Sequence, residues 1–340
     1  MSTNMLFTCV GRRNYLINYF KEALNNQGKI FASDVDVNAP AMIDADVALV
    51  VPNIYDASYI PTIINLIKTH NINAVISLND FELPILSKHK KSIETQTGAK
   101  IIISSEAVID LAFDKLKTAN FLKNIGLNTP KTFDSLELAI SEIKKENLTF
   151  PLVVKDRWGS ASMNINYAEN IEELELIYKY LYLRLKNSTN ALANKDETNI
   201  PIIIQEKIIG KEYGIDILND FEGNYVGTFV REKLNMRSGE TDRAVSVIDE
   251  KFNDLGKIIS THLKHYGNLD CDVFVSNNKI YVLELNPRFG GGYPFSHEAG
   301  INIAAIYIEW INNRINISKF NNYKSEVMYS KCDRMLKNSR

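Results

Sequence analysis

The chain has 340 residues, long enough for two or three domains of ~100–150 residues each. Hydrophobic residues make up 45% and charged residues 24%, ordinary globular values that exclude a disordered or fibrous chain. A net charge of −2 gives no overall reason to expect nucleic acid or an anionic membrane as partner, so neither is expected.

The three cysteines, Cys9, Cys271 and Cys332, are widely spaced and lack the spacing of zinc or dithiol sites. No apolar stretch reaches the ~18 residues needed to span a bilayer, and MSTNMLFTCVGRRNYL is too weakly apolar for a signal peptide. The expectation is a soluble protein of the reducing cytoplasm.

MLFTCV (5–10) reads as a strand ending at Gly11, and NYLINYFKEAL then carries apolar residues at helical spacing. KIFASDVD, DVALVVP and NAVISLND follow as strands, with YIPTIINLIKTH as a helix before the last. Alternating strands and helices imply a parallel sheet covered on both faces, a Rossmann-like domain over 1–105. Gly11 is followed by Arg12 and Arg13 in place of the glycine fingerprint that admits a pyrophosphate, which argues against a dinucleotide there.

From Ser105 onward the pattern becomes helical until the Asn128-Thr129-Pro130 turn. The helix SLELAISEIKKE, the strand PLVVK, the turn RWGSAS and a helix over 171–186 come next, and the polar segment 186–199 reads as an exposed loop. Residues 106–205 are thus linker helices and a small lobe, and 206–340 a larger α+β lobe with mainly antiparallel strands. RSGETDRAVS reads as a loop within it.

Four pieces carry chemistry. Lys155 ends a strand beside a small-residue turn whose N–H groups suit phosphate oxygens, although a solvated strand end looks the same. Glu206 and Glu212 flank a bend that suits an adenine edge and ribose hydroxyls, or is a plain surface turn. Asp272, Glu284 and Asn286 are hard oxygen donors of the kind magnesium shares with phosphates; two acids alone also fit the outer face of a hairpin. If Asn277-Asn278 formed a two-residue turn with regular pairing, Asp272 would oppose Leu283 and face away from Glu284. A longer loop or a bulge would pair Asp272 with Val282 and bring the three donors onto one face, which is the expectation. Last, Arg288 precedes Gly290–Gly292, and Arg231, Lys233, Arg237 and Arg243 add cations suited to an anionic ligand or to a solvated face. The glycines there would let a ligand approach the backbone.

In this order the pieces resemble the ATP-grasp superfamily, in the branch related to the carbamoyl-phosphate synthase large chain that includes amino-acid ligases. The resemblance covers nearly the whole chain and implies a pre-ATP-grasp domain followed by two lobes that clasp ATP. By it, Lys115 and Lys155 match the phosphate lysines, with Ser160 and Ser162 in the flexible loop. Glu206 and Ile208 match the adenine hinge, Glu212 the ribose carboxylate, and Arg231 and Lys233 further nucleotide contacts. Asp272, Glu284 and Asn286 match ligands of two magnesium ions, with manganese as an alternative. Arg288, with Lys155, would be catalytic, and Arg237, Arg243, Gly291, Tyr293 and Ser296 would line the substrate pocket. The implied activity is ATP-dependent ligation of a carboxylate to an amine through an acylphosphate, by a homodimer. The rivals are a carbamoyl-phosphate-synthase-like enzyme phosphorylating bicarbonate or carbamate, and a non-catalytic ATP-binding module.

Overall fold

The computed structural model describes residues 2–159, 164–186 and 201–337. Ser160 and Ser162, and the expected loop beyond Lys186, lie outside them.

The first sheet follows the sequence pattern. Strands β1 (Met5–Thr8), β2 (Ile30–Asp34), β3 (Val47–Val50), β4 (Ala74–Ser77) and β5 (Lys100–Ile101) pair in parallel in the order β3-β2-β1-β4-β5. They are linked through α1 (Asn14–Leu24), α2 (Pro40–Asp44), α3 (Tyr59–Thr69) and α4 (Leu83–Thr97). The order reverses between β1 and β4, so the loops after these strands open on one crevice. Arg13 stands at the first of them and Asp80 at the second.

Helices α5 (Glu106–Phe113) and α6 (Lys115–Asn124) lead to a four-stranded antiparallel sheet of order β6-β9-β7-β8. Its strands are β6 (Thr132–Phe133), β7 (Leu152–Asp156), β8 (Asn166–Ala168) and β9 (Ile202–Glu206), backed by α7 (Leu136–Lys144) and α8 (Ile171–Lys186). α6 begins cleanly because Asp114 caps it, accepting from Leu116 N and Lys117 N.

The third sheet is antiparallel, in the order β14-β13-β10-β11-β12-β15. It comprises β10 (Lys211–Asn219), β11 (Tyr225–Arg237), β12 (Glu240–Val247), β13 (Asn268–Ser276), β14 (Lys279–Asn286) and β15 (Met328–Ser330). Helices α9 (Glu250–Leu263), α10 (Tyr293–Glu298) and α11 (Ile303–Ile311) complete it. RSGETDRAVS is therefore a hairpin and not a loop. Ser238 and Gly239, at φ of 51° and 80°, make a tight turn between Arg237 and Glu240.

Two of the hydrophobic cores set the layout. One is shared by the first domain and the third sheet's helices: Phe7 packs edge-on against Phe20 (4.9 Å between ring centres), Phe20 against Phe289 (6.0 Å) and Phe289 against Tyr293 (4.8 Å). Burying each such ring stabilises by ~1.5–3 kcal/mol. The small lobe has a separate core of Ala139, Leu152, Val154, Leu174 and Ile204 with their neighbours. Among the described residues, no helix is long and apolar enough to cross a membrane.

Register settles which way the acids face. Asn277 and Asn278 do form a two-residue turn, with φ of 47° and 63°, and pairing runs regularly to Val273↔Val282. A bulge at Leu283 then shifts it, giving Asp272↔Glu284 and Asp270↔Asn286. The donors share a face as expected, but the partner of Asp272 is Glu284 and not Val282.

The triple glycine is explained mostly by the chain itself. A Cβ on Gly290 would lie 2.1 Å from the Asp270 carboxyl carbon, and one on Gly292 2.2 Å from Arg231 Nε, whereas one on Gly291 would meet nothing closer than 3.3 Å. Gly290→Ala is expected to cost ~1–3 kcal/mol of stability by overpacking, and Gly291→Ala under about 1 kcal/mol. Urea unfolding of the two variants checks this contrast.

Candidate active site

The end of β14 delivers Glu284 and Asn286 to a cleft where all three sheets meet. Asp80 comes from the loop after β4, Phe113 and Lys115 from the junction of α5 and α6, and Gly159 from the turn after β7. Lys115 is nearly buried, and its Nζ donates to Gly159 O. Lys155, on β7, is 8% exposed and within electrostatic reach of Lys115, Glu284 and Asp272. Burial, then the charge of Lys115, lowers its pKa to about 8, against the pull of the two acids. Two lysines and two carboxylates thus come within electrostatic reach of one another at the cleft.

Asp272 and Glu212 are joined by Lys233, whose Nζ lies 2.7 Å from an oxygen of each. Burial opposes the Lys233 charge, but Asp272 and Glu212 outweigh it and raise its pKa. The ribose carboxylate and the metal carboxylate of the sequence reading are thereby fixed relative to one another.

Asn286 Nδ2 donates to Glu284 Oε1 (3.4 Å). Two carboxylates and an amide oxygen, without sulfur or imidazole, suit a hard cation that shares its coordination with phosphate. Among the described residues, no three His, Cys, Asp or Glu side chains form a cation site by themselves. A cation carried in by phosphates needs only one or two carboxylates from the protein.

Arg231 belongs elsewhere. It is 1% exposed, donates from Nη1 to Asp216 (2.6 Å) and Ser296 (3.2 Å) and from Nη2 to Asp270 (2.8 Å), and is enclosed by Gly214 and Gly292. Desolvation works against the charge; Asp216, Asp270 and Asp272 overcome it, so its pKa is raised. Burial and then Asp272 push Asp270 up to about 6, opposed by Arg231 and Arg288. The nucleotide contact expected of Arg231 is replaced by a buried ion network: Nη1 and Nη2 are taken by Asp216, Ser296 and Asp270, and Nε, without a partner among the described residues, is shut in under Gly292.

Arg288 is held from the first domain. Asp80 accepts from its Nε (2.7 Å) and Nη2 (2.6 Å), while Nη1 donates to Phe289 O and lies 3.8 Å from Asp270. A second bidentate pair, Arg157 with Asp114 (2.8 and 2.7 Å), ties the turn after β7 to the start of α6.

At the hinge, Glu206 closes β9 and its carboxylate accepts from Lys131 N (3.2 Å), while Ile208 is partly buried just beyond. The substrate residues of the sequence reading scatter. Tyr293 and Ser296 are fully buried: Tyr293 Oη meets His297, Ile301 O and Ile303 N, and Ser296 donates to Asp216. They are core residues, and the expectation that they line a pocket is corrected. His297 stacks on Tyr19, and burial lowers its pKa to about 4. Arg237 is exposed and paired with Asp242 and Asp333, and exposed Arg243 donates to Ser330. The basic cluster therefore divides into interior cations with carboxylate partners and surface cations. Of the substrate set, only Gly291 lies open at the turn after Arg288. Asp80, Asp114, Asp216 and Asp270 were missed. Their signal is a partner far away in sequence, which spacing does not reveal.

Residues 112–292 match the family described as the ATP-grasp domain, and residues 5–102 that described as the PylC-like N-terminal domain. The chain is 28% identical over 237 residues to the carbamoyl phosphate synthase large chain of Campylobacter jejuni, a match covering 66% of this chain and 20% of that one. It thus spans about a fifth of that relative's length. An L-amino acid ligase from Bacillus licheniformis has a similar fold (TM-score 0.71, 20% identity, 96% of this chain and 79% of that one). So does the biotin carboxylase domain dimer of Hydrogenobacter thermophilus 2-oxoglutarate carboxylase, solved with MgADP, ADP and bicarbonate (TM-score 0.72, 16% identity, 96% and 73%).

Proposed function

The chain belongs to the ATP-grasp family, and on that premise we propose that it is a carboxylate–amine ligase. The γ-phosphoryl group of ATP passes to a substrate carboxylate, giving an acylphosphate and ADP; an amine then attacks the acyl carbon and expels phosphate, leaving an amide. The observation that supports this reading is the gathering of Lys115, Glu284 and Asn286 at one cleft, with Lys155 in electrostatic reach of Lys115, Glu284 and Asp272. A homodimer and a cytoplasmic setting are part of the same reading.

Phosphoryl transfer depends on positioning and charge stabilisation more than on covalent help from the protein. Asp272, Glu284 and Asn286 would hold magnesium, in two ions by the family resemblance or with manganese in its place, which neutralises phosphate charge when bound. Lys115 and Lys155 place ammonium groups against the phosphates. Lys233 keeps Asp272 and Glu212 at a set separation, so that metal and ribose ends stay aligned. Asp80 orients Arg288, whose charge offsets that building on the transferring group.

Lys155 gives a pH signature. Only its ammonium form binds phosphate, and its pKa in the free protein is about 8, so MgADP affinity is expected to fall as pH rises through that value. Calorimetric titration at several pH values checks it. The sign for stability is opposite: the unfolded lysine keeps its proton to about pH 10.5, so the burden of a buried ammonium is relieved as pH climbs past 8.

The deciding experiment measures ADP release from MgATP with pools of carboxylic and amino acids, in wild type and Glu284→Ala. Release stimulated by a carboxylate with an amine supports ligation. Release stimulated by bicarbonate supports carbamoyl-phosphate-type chemistry, the reading favoured by the Campylobacter relative. Nucleotide binding without stimulated release would leave a binding module.

A further inference from the structure

The Gly11-Arg12-Arg13 turn after β1, where a dinucleotide fingerprint is lacking, has a further use. Gly11, at φ 47°, donates its N–H to Asp34 Oδ2 (2.9 Å), which sets the turn. The chain then sends Arg13 across the domain boundary to the glycine triplet: its Nη1 lies 3.3 Å from where a Cβ on Gly291 would stand.

Three arginines with enclosed side chains elsewhere in the molecule hold carboxylates. Arg157 has Asp114, Arg231 has Asp216 and Asp270, and Arg288 has Asp80. Arg13 makes no such close pair: among the described residues no carboxylate oxygen comes within 4.0 Å, Glu240 standing only within electrostatic reach, and its Nη1 donates to the neutral Tyr15 Oη (2.9 Å). Tyr15 Oη in turn donates to Gly290 O (3.3 Å), fixing the guanidinium to this turn. Arg288, of like charge and three residues before Gly291, is within electrostatic reach. Two guanidinium groups near one turn, one of them unpaired at close range and balanced only by the more distant Glu240, create a place for an anion.

We propose that Arg13, steadied by Tyr15, binds a carboxylate of the substrate over the bare backbone of Gly291, distinct from the carboxylate that is phosphorylated. The inference rests on the ligase reading and adds to it that the substrate carries a second anionic group. A guanidinium fork matches a planar carboxylate. A dianionic phosphate fits less well, because the Glu240 carboxyl carbon lies 3.4 Å from the same Cβ position and would repel two charges more than one. The first domain thereby becomes part of the substrate site.

The test is calorimetric titration of the MgADP-loaded full chain with succinate, with neutral succinamide and with inorganic phosphate, in wild type, Arg13→Met and Arg13→Lys. Succinate should bind wild type saturably. The affinity should fall about 10- to 100-fold in Arg13→Met, as for a lost charge-assisted hydrogen bond, and recover in part in Arg13→Lys, which keeps the charge but not the fork. Succinamide should give no binding, and MgADP affinity should be equal in all three proteins. Equal succinate affinity in wild type and Arg13→Met overturns the proposal. So does the absence of saturation in wild type at concentrations on the order of 20 mM, well beyond a millimolar Kd. Phosphate binding lost in Arg13→Met while succinate binding persists overturns the carboxylate assignment. If Arg13→Met melts early, Arg13→Lys decides alone. Failure of MgADP to bind wild type counts against the ligase reading instead.

Discussion

Arg231→Met is expected to lower unfolding free energy by ~3–5 kcal/mol, the usual consequence of leaving buried carboxylates without their cation. Asp216 is fully buried and, among the described residues, would keep only Ser296 and Asn268 as side-chain donors, while Asp270 would keep a distant contact with Arg288. The space vacated under Gly214 and Gly292 adds a packing loss. The drop should be seen with and without nucleotide, because the network lies behind the cleft. Adding Asp216→Leu should restore part of it, since an apolar replacement removes the stranded charge. A wild-type urea midpoint for Arg231→Met would show that the arginine serves a ligand after all.

Glu284→Ala is expected to reduce substrate-stimulated ADP release by about 10²- to 10³-fold, as when one preorganised group that stabilises transition-state charge is removed. Stability should hold, because the hydrogen bond it accepts from Asn286 is a long one and it stands directly across from Asp272, a like charge. A second readout separates this from simple loss of binding. Glu284 is first among the acids that support the Lys155 proton, so its removal should move the pH midpoint of MgADP binding below about 8. Unchanged turnover together with an unmoved midpoint would dissociate Glu284 from the lysines.

Much of this was legible in the sequence because it follows from short periods. Alternating strands and helices announced the parallel sheet, and two-residue spacing put Glu284 and Asn286 on one face. The bulge needed to add Asp272 was anticipated, but its place at Leu283 was not, because a bulge is a packing outcome with no composition of its own. RSGETDR was read as a loop since Ser-Gly and dense charge look alike in loops and in exposed hairpins. Arg231, Tyr293 and Ser296 were misassigned for a different reason. A cation or hydroxyl near a glycine turn looks available until its partners arrive, and Asp216 comes from another strand. The partner that orients Arg288 was equally hidden, since Asp80 lies 208 residues earlier.

The separate cores have a mechanical consequence. Asp272, Glu284, Asn286 and Arg288 ride on one fused body, since the first domain and the third sheet's helices share a hydrophobic interior and Asp80 bolts them together, and α6, which carries Lys115, packs on the same sheet through a further core. Lys155 rides on the small lobe, whose interior is its own. Rocking of that lobe about the Asp114–Arg157 pin would then leave the acids where they are and move the Lys155 ammonium together with the turn after β7 at the phosphates. Such a motion would set how near the Lys155 charge stands to the carboxylates across from it.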